Sequence, residues 1–266
     1  MMVSYEFSVA NYQRKLVNDE QEFSPRLDMI ETEWTMLRNA HQGTVTTSSS
    51  ARNALVLRYA PAIRSYIHAI TRSDTDADEL SQEVIIRLLK GDFGGADPNR
   101  GRFRDLLKVA VKNMTRNHWA KQNRRNIVDL DPELVNGVEV EEPDLAWNDG
   151  WQQNVLGIAW ARLESFQEQN EGSVLFSALQ FRADHPDADS PTLAEMISKE
   201  HNREVSAATF RQQLRRARVR FAEYVVEEVA NGIDSVKPER IHEELISIGL
   251  FEHVKDVMPS DWSNSN

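Results

Sequence analysis

The sequence predicts an all-α protein of two small helical domains joined by an acidic linker. Three observations carry this. Apolar residues recur at spacings of three and four along most of the 266-residue chain, and few stretches alternate as strands do. Breaks rich in Gly and Pro punctuate these periodic stretches. Charge is also sorted along the chain. Arg100–Arg125 holds nine Lys/Arg and one acid, Asp105, whereas Asn126–Asn154 holds eight acids and no Lys or Arg. The expected division is an N-terminal extension over 1–50, a first helical domain over 51–125, the acidic linker over 126–150, a second helical domain over 151–232 and a C-terminal extension over 233–266.

The elements follow in order. "TEWTMLRNA" gives a short helical patch with Trp34 and Leu37. "HQGTVTTSSS" reads as a loop, with Ser50 as the N-cap of a helix from Ala51. Leu55, Tyr59, Ile63, Tyr66, Ile67 and Ile70 mark the buried side of that helix, and Pro61 is expected to start or kink a segment. "SDTDADE" opens the next helix with acids near its positive end; Ala77, Leu80, Val84 and Leu88 form its buried stripe. "GDFGGADPNRG" breaks it. A basic third helix follows, with Phe103, Leu106, Leu107, Ala110, Met114 and Trp119 on its apolar face. After the linker, "WQQNVLGIAWARLESF" and "SVLFSALQFRAD" are helical. "TLAEMISKEH" begins with a capping-box spacing, Thr192 to Glu195. Ser206 caps a long helix that Gly232 ends, and "ERIHEELISIGLFEHV" makes a last short helix with Ile241, Leu245 and Leu250.

Composition excludes several functions. There is no cysteine, so no disulfide or thiolate site exists. No run of about 18 apolar residues suggests a membrane span, and the N-terminus lacks the apolar core of a signal peptide. The expectation is a cytoplasmic protein with no membrane partner. "DTDADE" fails as a calcium loop: Glu79 stands where Gly is needed, and Ile85 where the bidentate Glu is needed. No histidine pair has ligand spacing, "GGADPNRG" is no phosphate loop, and no catalytic constellation stands out. The reading is a non-enzyme that needs neither metal nor cofactor.

The basic run points instead to nucleic acid. Arg104, Lys108, Lys112 and Arg116 follow one another at i+4, a row that winds by about 40° per step. A solvated face would mix in Glu for local pairs, and here only Asp105 offers that. Asn113, Asn117, His118, Trp119 and Gln122 lie among the cations, groups able to bond base edges or stack on an unpaired base. "TLAEMISKEH" and "SAATFRQQLRRARVR" together have the form of a helix-turn-helix. Phe210, Leu214, Ala217 and Phe221 face its core; Arg211, Gln212, Arg215, Arg216 and Arg218 face out. Such a helix enters a major groove with its N-terminal residues first.

"YAPAIRSYIHAITRSDTDADELSQEVIIRLLK", with "RGRFRDLLKVAVKNMTRNHWAKQNRR" downstream, resembles region 2 of bacterial RNA polymerase sigma factors of the extracytoplasmic-function type. "SAATFRQQLRRARVRF" resembles the second half of region 4 in Ser206, Thr209, Phe210, Arg211, Leu214, Arg216, Ala217 and Arg218. The two terminal extensions look like those of an extended, planctomycete-like variant.

The resemblance implies a region 2 bundle and a region 4 helix-turn-helix. It implies core RNA polymerase and promoter DNA as partners, and allows an anti-sigma factor. Asp78, Glu79, Gln82, Glu83 and Arg87 would dock on the polymerase. Lys112, Asn113, Arg116, Asn117, His118 and Lys121 would fall where the family melts and reads the minus-ten element, and Arg211, Gln212, Gln213, Arg215 and Arg218 would read or grip the minus-thirty-five element. Arg104, Lys108, Trp119, Arg124 and Arg125 on the basic helix, and Ser206, Thr209 and Arg216 on the later one, are further candidate DNA contacts. Departures are Leu106 where the family often has Trp, Asn117 for Asp, Gln213 for Arg, and a longer turn, "KEHNREVS". Two other classes stay open: a self-sufficient helix-turn-helix regulator, and a sigma homologue that binds no DNA and sequesters a partner.

Overall fold

The computed structural model describes residues 23–27, 40, 45–93, 102–125, 141–233, 237–258 and 262, with side chains at 45–48, 122–125 and 141–144 outside the description. The described residues are mainly helical, with no strand among them. The helices are α1 (Val45–Thr71), α2 (Asp74–Lys90), α3 (Phe103–Arg125), α4 (Glu141–Gln169), α5 (Leu175–Asp184), α6 (Ser190–Glu200), α7 (Ala207–Asn231), α8 (Pro238–Ser247) and α9 (Phe251–Val254). The expected patch at Trp34 and Leu37 lies outside the described residues. The chain divides into two units, one of Met29–Val155 with Ala230–Arg240, the other of Met1–Asp28, Leu156–Val229 and Ile241–Asn266.

In the first unit α1 packs on α2 and α3. Helix α1 begins at Val45, so Ser50 lies inside it rather than capping it, and Pro61 lies inside it too. Pro61 frees the carbonyl four residues earlier, at Leu57. Both residues are solvent-exposed, so water can take that carbonyl and the helix continues. Helix α2 starts where Ser73 Oγ accepts the Asp76 N–H (3.2 Å) and stops at Gly91, whose φ of 93° suits only glycine at low cost. Its expected stripe, Ala77, Leu80, Val84 and Leu88, is buried.

The acidic stretch is where sequence and structure differ most. Helix α4 begins at Glu141, inside the expected linker. Glu141, Glu142 and Asp144 stand in its first turn, where the helix dipole favours acids, and Pro143 is tolerated there. Beyond them Trp147, Trp151 and Val155 recur at i+4 and are fully buried. These residues join the first unit rather than the second. Trp151 stacks on Tyr59 (5.2 Å between ring centroids) and Trp147 meets Tyr66 edge-on (5.6 Å). Asn154 Nδ2 donates to the Arg58 carbonyl (2.8 Å). Gly150 permits the close approach: a Cβ there would lie 2.8 Å from the Ala62 Cα.

In the second unit Asp189 caps α6 by accepting the Thr192 N–H (2.9 Å). The cap therefore stands three residues before the expected Thr192, and Glu195 pairs with Lys199 instead (3.4 Å). Ser177 joins the three surrounding segments. Its N–H donates to Gln167 Oε1 (3.1 Å), its Oγ accepts from Gln167 Nε2 (3.0 Å), and the same Oγ lies 2.8 Å from His201 Nε2. The last expected helix is two, α8 and α9, because Gly249 at φ 71° turns the chain between them. Ile241, Leu245 and Leu250 are buried as expected.

Buried acids line α7. Glu223 Oε1 accepts the Ser24 N–H (2.9 Å), and Arg220 Nη1 stands 3.1 Å from its Oε2. That Arg220 contact is an ion pair without hydrogen-bond alignment, since Oε2 has no aligned donor among the described residues. Burial pushes the Glu223 carboxyl above the usual glutamate range, against the lowering effects of the Ser24 N–H and Arg220; Glu227 adds to the rise.

Two predictions follow from this packing. Gly150→Ala gains up to about 1 kcal/mol of helix propensity but forces a contact on backbone that cannot yield, costing about 1–3 kcal/mol. A net loss of stability is expected in denaturant melts. Gly157→Ala on the same helix, where a Cβ meets nothing within 4 Å, should raise stability by up to about 1 kcal/mol. Equal effects at the two glycines would contradict the packing. Second, the raised Glu223 carboxyl means that the folded state holds this proton more tightly than the unfolded chain does. Its favourable contribution is full below the ordinary value of 4.5 and is lost as pH rises through the folded value. Glu223→Gln cannot titrate. Its stability relative to the wild type should therefore improve from pH 4.5 to neutral pH, and a flat or opposite trend would refute the assignment.

Candidate nucleic-acid interface

Helix α3 is anchored by its first turn. The Phe103 ring is fully buried and meets Tyr59 (5.5 Å) and Phe93 (6.1 Å) edge-on. Leu107 and Val111 continue the buried line, and Thr115 returns its hydroxyl to the Val111 carbonyl (2.9 Å). This fixes the rotation of the helix. Ala110 and Met114 flank the line, half-buried. Leu106 and Trp119, read as apolar-face residues, are instead 41% and 39% exposed.

The i+4 row of cations is not one outward face. Arg104 is 5% exposed, so its place among the outward-facing DNA contacts is corrected: it lies on the packed side, with Asp105 3.9 Å away. The cause is the 40° drift per step. Lys108 is half-buried, and only Lys112 and Arg116 reach solvent fully. His118 is half-buried, its Nε2 3.9 Å from Asp76 at the start of α2. The exposed side therefore carries Lys112, Asn113, Arg116, Asn117, Trp119 and Lys121, with Leu106 and Val109 beside them. Arg124 and Arg125 stand in the last turn of α3, with side chains outside the description. Cations, amides, an indole and two aliphatic groups on one face suit contact with both phosphate and unstacked bases.

Helix α2 presents a second face. Asp78, Glu79, Gln82, Glu83 and Arg87 are all exposed. Arg64 of α1 donates through Nε to Asp78 (2.7 Å) and through Nη2 to Asp74 (2.9 Å). The hydrogen bond to Asp78, then that to Asp74, raises the Arg64 guanidinium above its ordinary value. Glu83 accepts from Arg87 (2.9 Å). At the centre of this face stands Ile86, 47% exposed. Sequence reasoning missed Ile86 and Val109. A helical wheel would have placed Ile86 between Gln82 and Glu83, where an apolar side chain has no intramolecular use.

The second unit holds the helix-turn-helix candidates. Ser206 Oγ accepts the Thr209 N–H (3.1 Å) and lies 2.9 Å from the Thr209 hydroxyl, so both residues serve the cap of α7. The long turn before it is pinned. Ser198 Oγ accepts the Val205 N–H (2.9 Å), and Arg203 donates to the Gly172 carbonyl (2.7 Å). Phe210, Leu214, Ala217 and Phe221 are buried as expected. Arg211 and Gln212 are exposed, whereas Gln213, Arg215, Arg216 and Arg218 are half-buried. Among the described residues no acidic or histidine cluster could hold a metal ion, and no helix is long and apolar enough to cross a membrane.

Residues 55–125 match the protein family described as Sigma-70 region 2. The match runs from Leu55 in α1 through α2 to the end of α3, and so includes the α2 and α3 faces described above. No curated protein and no solved structure matches the chain. The region 2 match over these residues supports a sigma-factor-like role in promoter recognition and implies interaction with core RNA polymerase.

The α3 geometry separates two arginines one helical row apart. Arg116→Ala should lower the promoter affinity of the complex with core polymerase and flatten its log–log salt slope by about 1, leaving thermal stability unchanged. Arg104→Ala should do the reverse, lowering the melting temperature while the salt slope holds. Identical salt slopes in the two variants would show that α3 is rotated otherwise.

Proposed function

We propose that the protein is a sigma factor of the extracytoplasmic-function type, which binds core RNA polymerase and directs transcription initiation at a particular class of promoters. The observation that carries this is the region 2 match falling on a helix, α3, whose exposed side offers Lys112, Asn113, Arg116, Asn117 and Trp119 together. In this reading α2 docks on the polymerase. Ile86 is the apolar anchor, and Glu79, Gln82, Glu83 and Arg87 form the polar rim, the usual anatomy of a protein interface. The outer side of α3 holds the separated strand of the minus-ten element, with Trp119 available to stack and the amides to read base edges.

Helix α7 in turn reads the minus-thirty-five element from its first two turns. Ser206 leaves backbone N–H groups beside a phosphate. Arg211 and Gln212 reach bases, for which Arg suits guanine and Gln suits adenine. The half-buried Arg215 and Arg218 lie further along, suited to gripping phosphate. A cytoplasmic location fits a partner of this kind, and an anti-sigma factor would be a natural further partner.

Reconstitution with core polymerase and run-off transcription from a promoter library tests the proposal. The chain should co-purify with core polymerase and select a defined set of promoters. Glu83→Lys and Ile86→Ala should each weaken core binding about tenfold, the effect of about 1.4 kcal/mol, with helicity unchanged. Promoter binding without polymerase would favour a self-sufficient regulator, and polymerase binding without transcription would favour a sequestering homologue.

A further inference from the structure

Residues 23–27 of the N-terminal extension are held on α7. The segment alternates. Phe23, Pro25 and Leu27 are half-buried, while Ser24 and Arg26 face solvent. The main-chain N–H groups of the two outward residues point the other way, into buried carboxylates. Ser24 N–H donates to Glu223 Oε1 (2.9 Å), and Arg26 N–H donates to Glu227 Oε1 (2.6 Å). The two acids, at i and i+4 on one face of α7, are 3% and 6% exposed and take the amides of two residues that stand two apart in the segment. Arg162 pairs with the other oxygen of Glu227 and lies over the Tyr224 ring, 4.1 Å from its centroid. Phe23 meets Trp262 edge-on (5.9 Å), and the Leu27 N–H closes a tight turn on the Pro25 carbonyl (2.9 Å).

Stability alone does not call for this arrangement. A buried charge pair is a weak source of folding energy, and apolar residues of similar volume hold a surface strap at least as well. What carboxylates add is selection: they accept only from donors at the right spacing, and a proline at either outward position would abolish a donor. The seat also lies apart from the recognition end of its own helix, since Glu223 stands twelve residues beyond Arg211, about 18 Å along the axis.

We propose that Glu223 and Glu227, braced by Arg162 and Arg220, form a peptide-binding site for a short segment with apolar side chains at alternate positions, and that residues 23–27 fill it in cis as a displaceable latch.

The test uses the full chain and a fluorescently labelled peptide of residues 21–29. Arg26→Pro removes the donor to Glu227 without touching the core, because the Arg26 side chain is exposed; Arg26→Ala keeps the donor. The peptide should bind Arg26→Pro about tenfold or more tightly than either the wild type or Arg26→Ala, as expected for a freed hydrogen bond to a charged group. Adding Glu227→Gln to the Arg26→Pro variant should abolish that gain. As an independent readout, trypsin should cleave after Arg26 more slowly in the wild type than in Glu227→Gln, by about tenfold. Equal peptide binding by the wild type and Arg26→Pro, or binding by neither, would overturn the proposal, as would equal cleavage rates.

Discussion

The aromatic ladder around Tyr59 is the constraint on which the first unit depends. Phe93, Phe103, Tyr59 and Trp151 touch in sequence, and each comes from a different part of the chain: the turn after α2, the start of α3, the middle of α1 and the fourth turn of α4. Truncating one such buried ring typically costs about 3–5 kcal/mol, against a total stability of about 5–15 kcal/mol for a domain. Exposed ion pairs among the described residues, such as Arg64–Asp78, are worth about 0–1 kcal/mol.

The exposed face of α3 follows from this ladder. Phe103 sets the rotation of α3, and rotation decides which cations meet solvent. Over the three steps from Arg104 to Arg116 the row turns by about 120°, enough to carry it from the packed side to the open side. The same rotation brings Leu106, Val109 and Trp119 outward. An exposed face that mixes apolar groups with cations is poorly designed for water alone and well suited to a partner with both phosphates and open bases.

Part of this was legible in the sequence. The α2 stripe and the core line of α7, from Phe210 to Phe221, repeat cleanly at helical spacing, and Ser206 sits where a cap must sit. Other features were hidden for definite reasons. Eight acids spread over Asn126–Asn154 read as a linker up to residue 150, and Trp147, i+4 before the Trp151 that opens the next periodic stretch, was outweighed by charge. Gly150 and Gly157 are the same letter on one helix, yet the first touches a neighbouring backbone and the second touches nothing; no local pattern distinguishes them. Pro61 stands inside α1 with its side facing water, which the periodic pattern did not reveal. The seat of residues 23–27 depends on acids some 200 positions away, a separation that periodicity cannot span.

The most direct measurement is native-state hydrogen exchange across residues 145–155 of the intact chain. If this part of α4 belongs to the core of the first unit, its amides should be protected as strongly as those of α1 around Tyr59 and should open with them in one cooperative step. Exchange at the rate of an unstructured linker, or opening independent of α1, would contradict the account.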